Sequence, residues 1–214
     1  MIKTHNLTTL KSASKKLAKS HPALGRIHVA LGTPPLWNRD PGFATLVHMI
    51  LEQQVSLASA RSAFDKLNAA CIPLTPEKFL RFSDQELKAV GFSRQKTRYC
   101  RTLAQAVIAS ELDLSGLASK NDESVRETLT AMTGIGIWTA NIYLLMVLLR
   151  TDVWPRGDIA LQTAWQRLNG LETRPTANEL EIIAQSWAPQ RAVAARLLWH
   201  YYLSGMPVLT PPAP

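Results

Sequence analysis

Cysteine, clustered histidine and long apolar runs are all scarce in this chain of 214 residues, and each shortage excludes a class of protein. The two cysteines, Cys71 and Cys100, have neither a metal-binding spacing nor a disulfide framework, which fits a reducing compartment. The five histidines are scattered without the spacing of metal ligands. The longest apolar run, residues 142–149 with only Tyr143 interrupting it, is far shorter than the roughly twenty residues of a membrane span.

Signals for secretion, nucleotide binding and serine chemistry are missing as well. The basic N-terminus shows no secretory apolar region or cleavage site, so we expect a soluble intracellular protein. The sequence contains no GxxxxGK[ST] phosphate loop and no serine-centred nucleophile elbow. No stretch alternates polar and apolar residues for long enough to indicate a sheet.

The chain is rich in basic charge. Lysine and arginine number 24 against 16 acidic residues, which gives a net charge of +8 and favours a polyanionic partner. Four of the lysines, at positions 11, 15, 16 and 19, belong to one predicted helix. We interpret them first as a solvated helix face, with contact to nucleic acid as the alternative.

The periodicity of apolar residues predicts an all-helical chain. Glycine and proline predict a loop between residues 32 and 42, and residues 207–214 are expected to form a disordered tail. The predicted helices cover about residues 11–19, 43–51, 55–70, 76–82, 84–90, 94–109, 122–132, 137–149, 158–168, 177–185 and 190–203.

Two glycines one residue apart, Gly134 and Gly136, stand between a polar predicted helix and an apolar one. Glycine tolerates positive φ and allows another surface to approach the backbone. A bend at a helix N-terminus offers N–H groups to an anion such as a phosphate. A lone Gly-x-Gly is more often an ordinary tight turn. Here the basic charge, the apolar helix and a later acid together favour a phosphate site.

That acid is Asp158, which follows about two dozen residues later in the segment Trp154-Pro155-Arg156-Gly157-Asp158. The simplest interpretation is a helix N-cap, because the apolar pattern of a helix starts at Ile159. A functional role is compatible with the cap, since a helix N-terminus favours a negative charge.

A phosphate-binding hairpin followed by one acid at this spacing resembles the helix-hairpin-helix DNA glycosylases, the HhH-GPD superfamily. Trp138, just before Thr139-Ala140, makes the chain similar to the 3-methyladenine DNA glycosylase II branch. The resemblance extends from about residue 25 to about residue 202. It implies an all-α fold of two helical lobes, with the hairpin at the DNA-binding cleft between them. One lobe would comprise residues 1–42 with 141–214 and the other residues 43–140, and the hairpin helices at about 122–149 would span the junction.

The resemblance also implies a reaction. Cleaving an N-glycosidic bond develops positive charge on the sugar, which the Asp158 carboxylate would stabilise while it orients or deprotonates a water molecule. Bifunctional relatives carry a Schiff-base lysine where this chain has Trp138, so we expect monofunctional hydrolysis that leaves an abasic site without strand cleavage. The expected substrates are alkylated purines such as 3-methyladenine and 7-methylguanine, removed from damaged double-stranded DNA.

Aromatic residues are the candidates for the wall of a base pocket. Trp138 would stack on a cationic alkylated base, and core packing is the alternative for each aromatic residue taken alone. A close relative has a tyrosine where this chain has Ile142 and a tryptophan where it has Gln190, which affects the walls of the pocket. Besides Trp138, the candidates are Phe92, Tyr143, Trp154 and Trp187, with Trp199 in addition.

The remaining implied residues contact DNA or a cation. Gln54 would be the wedge that fills the gap left by the flipped base, with Gln53 beside it, and a polar helix junction is the alternative. Backbone carbonyls of Thr130, Met132 and Ile135 would bind a monovalent cation. Lys96 is equally well explained as a solvated helix charge. The set implied to contact the DNA backbone is Thr133, Gly134, Ile135, Gly136, Thr139, Lys96 and Arg156.

We expect no catalytic cofactor, a structural Na⁺ or K⁺ at the hairpin, and no iron–sulfur cluster, because the four-cysteine motif of some relatives is missing. The expected protein is a monomer that binds no membrane and acts in the bacterial cytoplasm (nucleoid) or the eukaryotic nucleus. Two alternatives stay open. One is a glycosylase for deaminated or mismatched bases, and the other is a non-catalytic helix-hairpin-helix protein that only binds DNA.

Overall fold

Helices account for nearly all regular structure in the computed structural model, which describes residues 2–206 and 209. Within this range the only β-type pairing is one isolated bridge between Thr4 and Arg150, so the predicted all-α fold is confirmed. The α-helices are α1 Leu7–Ser20, α2 Pro22–Leu31, α3 Phe43–Glu52, α4 Leu57–Ala70, α5 Pro76–Phe79, α6 Asp84–Ala89, α7 Arg94–Ile108, α8 Asp122–Thr130, α9 Ile137–Ile142, α10 Ile159–Asn169, α11 Ala177–Gln185 and α12 Arg191–Leu203.

The chain divides into two units. Residues 39–143 form one, here called the central unit, and residues 1–38 with 144–214 form the other, the terminal unit. The sequence predicts the corresponding boundaries at 42/43 and 140/141. In the central unit, α3 packs against α4 and α7. In the terminal unit, α12 packs against α1, α2 and α10.

Side-chain caps explain why most predicted helix starts agree closely with the structure. Ser83 and Glu86 form a capping box at the start of α6, and Thr176 and Glu179 form another at α11. Each cap satisfies backbone N–H groups that the first helical turn leaves unpaired. These signals are local, and so they can be recognised in the sequence.

Helix α2 is absent from the sequence prediction. Pro22 at its first turn is a start signal, but the helix has only ten residues and contains Gly25. A Cβ at Gly25 would lie 2.7 Å from the carbonyl oxygen of Ala18 in α1, so glycine permits a close helix contact here. Leu24 and Ile27 are fully buried in the terminal unit. Tertiary packing therefore stabilises a helix that local propensity does not specify.

The predicted helix 137–149 is wrong beyond Ile142, because the chain continues as a π-helical turn over Tyr143–Val147. The buried guanidinium of Arg196 donates from Nη2 to the carbonyl of Leu145 at 2.7 Å, and from Nε to the carbonyl of Leu36 at 3.1 Å. In a π-helical turn the regular α-helical hydrogen bonds are interrupted. A side-chain donor such as Arg196 can then bond to a backbone carbonyl of that turn. The cost of burial lowers the pKa of Arg196 to about 10.

His5 gives a prediction for stability against pH. Burial, together with the charge of Arg196, lowers its pKa from 6.5 to about 4, and neither ring nitrogen has a hydrogen-bond partner. Below pH 6.5 the unfolded chain therefore binds a proton that the folded chain does not. We expect the free energy of unfolding to be retained above pH 6.5 and to fall by about 3 kcal/mol as the pH drops to 4.

The measurement is urea denaturation at several pH values between 7 and 4, with His5→Phe as the comparison because it removes only this titration. The difference between the two proteins should carry the pH dependence. Parallel curves for wild type and His5→Phe would contradict the assignment.

The predicted disordered tail, residues 207–214, lies outside the described residues apart from Leu209. Among the helices that the structure describes, none has the length and apolar character needed to cross a membrane.

Candidate active site and nucleic-acid interface

The hairpin between α8 and α9 has a backbone that requires glycine at position 134. Gly134 has φ +92°, a region that side-chain-bearing residues rarely adopt. An added Cβ would lie 2.3 Å from ring carbons of Tyr99, which packs against the turn. The N–H of Ile135 donates to the carbonyl of Met132 at 3.0 Å and closes the turn. Backbone conformation and packing therefore both exclude a larger residue.

Gly136 is different. It is the N-cap of α9 with φ −88°, it is exposed, and a Cβ there would meet no atom within 4 Å. No side chain caps the start of α9. The N-terminal end of a helix carries partial positive charge on its N–H groups. The fold does not require glycine here, and its absence of a side chain leaves the start of α9 accessible to a ligand.

Gln53 bonds to the hairpin. Its Nε2 donates to the carbonyl of Gly134 at 2.9 Å and to Oγ1 of Thr139 at 3.3 Å. The amide of Gln53 therefore holds the hairpin turn, and its place beside the wedge stays a prediction. Gln54, the predicted wedge residue, is exposed and has φ +58°. The backbone therefore turns sharply at Gln54, and its side chain lies on the surface.

Lys96 is partly buried and bonded to α3, so it is not simply a solvated charge, and its predicted contact with a phosphate stays a prediction. Its Nζ donates to the carbonyl of Leu51 at 2.6 Å, in the last turn of α3, where a cation is favourable. Partial burial lowers the pKa of the ammonium. Lys96 thus stabilises the end of the helix that leads into Gln53 and Gln54.

One cavity of about 640 Å³ in the central unit brings many of the predicted residues together. Trp138 is partly exposed and lines it, as do both candidate glutamines. Tyr99 and Gln95, which bond to each other, are lining residues that sequence reasoning missed. The remaining lining residues are Glu52, Lys96, Thr130, Met132, Thr133, Gly134, Ile135, Gly136 and Thr139.

Two predicted pocket residues of the central unit lie elsewhere. Phe92 is 3% exposed and packs in the core against Phe79, with ring centroids 5.8 Å apart. Tyr143 is completely buried, its hydroxyl has no hydrogen-bond partner, and burial raises its pKa to about 12. Neither ring lines the cavity that contains Trp138. The core-packing alternative therefore describes both residues, since large aromatic side chains bury readily.

In the terminal unit, Asp158 is the N-cap of α10, as predicted. Its Oδ1 accepts the N–H of Leu161 at 3.0 Å and also Nε1–H of Trp199 at 3.3 Å. Gly157, with φ +82°, turns the chain so that the carboxylate reaches the helix start. Asp158 is partly exposed. Two donors on one oxygen fix the orientation of a carboxylate that solvent can still reach.

Trp154 and Trp187 belong to an aromatic cluster of the terminal unit that also contains Trp165. The ring centroids of Trp187 lie 5.4 Å from those of Trp154 and 5.3 Å from those of Trp165. Trp187 is 2% exposed and Trp154 is 7% exposed. Edge-on and tilted ring contacts of this kind stabilise a protein core. Trp154 and Trp187 therefore pack in the core of this unit, which is the alternative that the sequence offers for each aromatic residue. Trp165 was missed, although it lies four residues after Leu161 on α10.

Arg156 is held by α11. Its Nε forms an ion pair with Glu181 at 2.8 Å, and its guanidinium also bonds to Asn178. This exposed pair links the loop before Asp158 to α11. The predicted phosphate contact by Arg156 would compete with Glu181 for the same guanidinium.

The cysteines do not belong to a metal site among the described residues. Cys71 and Cys100 are both buried and free. Within the described part of the chain, no three histidine, cysteine or acidic side chains are grouped so that they could hold a metal ion.

Comparison with protein families identifies the chain. The model of the HhH-GPD superfamily of base excision DNA repair proteins matches residues 47–190, which include the hairpin and Asp158. The chain belongs to this superfamily. The predicted family is therefore confirmed, and with it the assignment to base excision DNA repair.

Several relatives of this HhH-GPD protein carry names of one activity. The DNA-3-methyladenine glycosylase 2 of Escherichia coli is 27% identical over 190 residues, which cover 83% of this chain and 64% of the relative. A crystal structure of the DNA-3-methyladenine glycosidase of Bacillus halodurans is 30% identical with a TM-score of 0.76, covering 89% of this chain and 88% of that one.

A third comparison includes bound DNA. The 3-methyladenine DNA glycosylase of Schizosaccharomyces pombe, solved in complex with abasic DNA, is 25% identical with a TM-score of 0.83. The match covers 88% of this chain and 95% of that chain. The similarity thus extends over nearly the whole length of both proteins.

Proposed function

We propose that this protein is a monofunctional DNA glycosylase that removes alkylated purines, of the 3-methyladenine and 7-methylguanine type, and leaves an abasic site in an uncut strand. The observation that carries the proposal is the carboxylate of Asp158, held by the start of α10 and by Trp199. Relatives named 3-methyladenine glycosylases support the substrate class.

The chemistry follows from this fixed anion. As the bond between base and sugar lengthens, positive charge develops on the sugar ring, and a carboxylate placed beside it stabilises that charge. The same group can orient the attacking water and accept its proton. Two donors already hold Oδ1 of Asp158, so the carboxylate needs little rearrangement during the reaction.

Hydrolysis by water, rather than by a lysine nucleophile, is supported by Trp138. Its indole cannot form a Schiff base, and Lys96, which shares the cavity, is bonded to the carbonyl of Leu51. Electron-rich indole stacks well on a cationic alkylated purine. Trp138 is thus the candidate wall for the flipped base.

DNA is the proposed partner of the central unit. The uncapped start of α9, with Gly136 leaving it accessible, would bind a phosphate through backbone N–H groups. Gln54, exposed at a sharp backbone turn, would fill the gap left by the flipped base. Complex formation of the S. pombe relative with abasic DNA supports this assignment.

A structural monovalent cation at the hairpin is part of the proposal. The residues that would offer backbone carbonyls, Thr130, Met132 and Ile135, line the same cavity, and carbonyl oxygens are ligands suited to hard cations. When bound, such an ion would supply positive charge to a DNA phosphate.

The test is release of free base from methylated duplex DNA, with strand integrity measured before and after alkali. We expect 3-methyladenine and 7-methylguanine in the supernatant and breaks only after alkali. Parallel duplexes with uracil or hypoxanthine test the deaminated-base alternative. Excision only from those duplexes would overturn the substrate class, and salt-dependent binding without excision of any base would overturn catalysis.

The two hydrogen bonds from Gln53 to the hairpin, here called the Gln53 clamp, predict a change in DNA affinity. Gln53→Leu removes two hydrogen bonds to the hairpin, each contributing about 1 kcal/mol, so we expect affinity for abasic duplex to fall by up to about 30-fold. Gln85→Leu makes the same chemical change at an exposed position of α6 that does not line the cavity, and we expect it to keep affinity within about twofold. Fluorescence anisotropy measures both, and equal losses in the two variants would refute the clamp.

A further inference from the structure

The positive charge of this protein is concentrated at its N-terminal end. Seven basic residues and no acidic residue precede Asp40, so residues 1–39 carry +7. Residues 40–214 contain 17 basic and 16 acidic residues and carry only +1. A charge asymmetry of this size is typical of chains that bind polyanions.

Helix α1 presents most of this charge on one side. Leu10, Ser14 and Leu17 are its buried residues, and they face the α2 and α12 side of the terminal unit. At about 3.6 residues per turn, the lysines of α1 fall on the opposite side of the helix. These four exposed residues, here called the α1 lysines, are Lys11, Lys15, Lys16 and Lys19.

The α1 lysines have no acidic partners. Among the ion pairs of the described residues, none involves an α1 lysine. Lys11 and Lys15, like Lys15 and Lys19, are separated by four residues and repel each other on the helix surface. The helix itself is secured by a capping box of Asn6 and Thr9. Only Lys19, in the last turn of α1, interacts favourably with the end of the helix. The fold gains little from the other three charges, which points to a partner.

We propose that the α1 lysines are a second nucleic-acid contact, separate from the hairpin; the proposal rests on the glycosylase function proposed above. From Lys11 to Lys19 the helix rises about 12 Å. One strand of duplex DNA carries a phosphate for roughly every 3.4 Å of its axis, so this stripe can neutralise about three phosphates. The contact reads no sequence and adds affinity for any duplex.

A lipid surface fits these observations less well. Amphipathic helices that bind membranes bury an apolar face among the lipids. The apolar face of α1, with Leu10 and Leu17, is already buried in the protein. Apart from Leu7 in the first turn, the exposed side of α1 is polar and cationic, and this suits a phosphate backbone in water.

The experiment measures how duplex affinity depends on salt. Wild type is compared with a variant that changes all four α1 lysines to glutamine. The control variant removes four exposed charges elsewhere: Lys66→Gln, Arg81→Gln, Lys88→Gln and Arg174→Gln. The probe is a duplex oligonucleotide with one abasic site. Because net charge falls equally in both variants, a difference between them reports position rather than total charge.

We expect the slope of log affinity against log salt to become shallower by about 2 to 4 in the α1 variant, and by less than about 1 in the control. Its kcat for base release at saturating DNA should stay at the wild-type value while KM rises. The melting temperature should not fall, since repulsion on α1 is removed. If the quadruple variant fails to fold, Lys15→Gln with Lys19→Gln should give about half the change in slope.

Equal slopes in the α1 and control variants would overturn the proposal and leave the glycosylase function intact. Loss of binding to phosphatidylserine vesicles in the α1 variant, with an unchanged DNA slope, would overturn it in favour of a membrane. Wild type that fails to bind duplex at any salt concentration would instead refute the proposed function itself.

Discussion

Asp158→Asn is expected to lower base release from methylated duplex DNA by about 10² to 10⁴ while leaving the fold and DNA affinity unchanged. Asparagine has almost the shape of aspartate and is an equally good N-cap, so the bond from the N–H of Leu161 can persist. Its amide oxygen can also accept Nε1–H of Trp199. The variant therefore removes the negative charge and can keep both of these hydrogen bonds.

Single-turnover base release gives the rate, and thermal unfolding gives the structural control. Asp158→Ala provides the contrast, since it loses both the charge and the cap and should also lower stability by about 1 kcal/mol. Full excision by Asp158→Asn would sink the proposed mechanism. A fall in melting temperature as large for asparagine as for alanine would show that the loss of activity is structural.

Gly134→Ala is the second large effect that we expect. The backbone at this position has φ +92°, which is disfavoured for alanine, and the added methyl group would overlap the ring of Tyr99. Strain and overpacking each cost about 1 to 3 kcal/mol, which the turn can relieve only by moving. A displaced turn would lose charge-assisted phosphate bonds, and affinity for abasic duplex should fall about 10- to 100-fold.

Gly136→Ser is the comparison for Gly134→Ala, because it should lower DNA affinity without lowering stability. Serine is a good N-cap and its side chain meets open space, so the melting temperature should be kept or raised. Because that space is where we propose a phosphate to bind, affinity should nevertheless fall. Calorimetric unfolding and anisotropy separate the two glycines. Unchanged binding in Gly136→Ser would place the phosphate elsewhere.

Signals that act within a few residues gave the most accurate sequence predictions. The helix starts at α6, α7 and α11 follow serine and threonine caps, whose effect lies within three residues. Asp158 was recognised as a cap for the same reason. The hairpin was recognised because Gly134 and Gly136 interrupt two helical patterns at a spacing that the family shares.

Contacts between residues that are distant in the sequence could not be predicted. Gln53 bonds to Gly134, 81 positions away, and Trp199 donates to Asp158 across 41 positions. Phe92 looks like a pocket residue beside a loop, yet it packs on Phe79 in the core. Apolar periodicity predicts that a side chain is buried, but it does not predict which neighbour the side chain packs against.

The sequence by itself determined the helical class, the glycine turn at the hairpin and the cap at Asp158, because caps, glycine conformation and apolar period act over a few residues. The family followed from the resemblance of the hairpin and Asp158 to a known pattern. The tertiary structure alone decided that Gln53 holds the hairpin, that Arg196 supports a π-helical turn, and that α2 is a helix. Those outcomes depend on which buried donor reaches which carbonyl and which helices pack together, and the folded chain brings these partners together from far apart in the sequence.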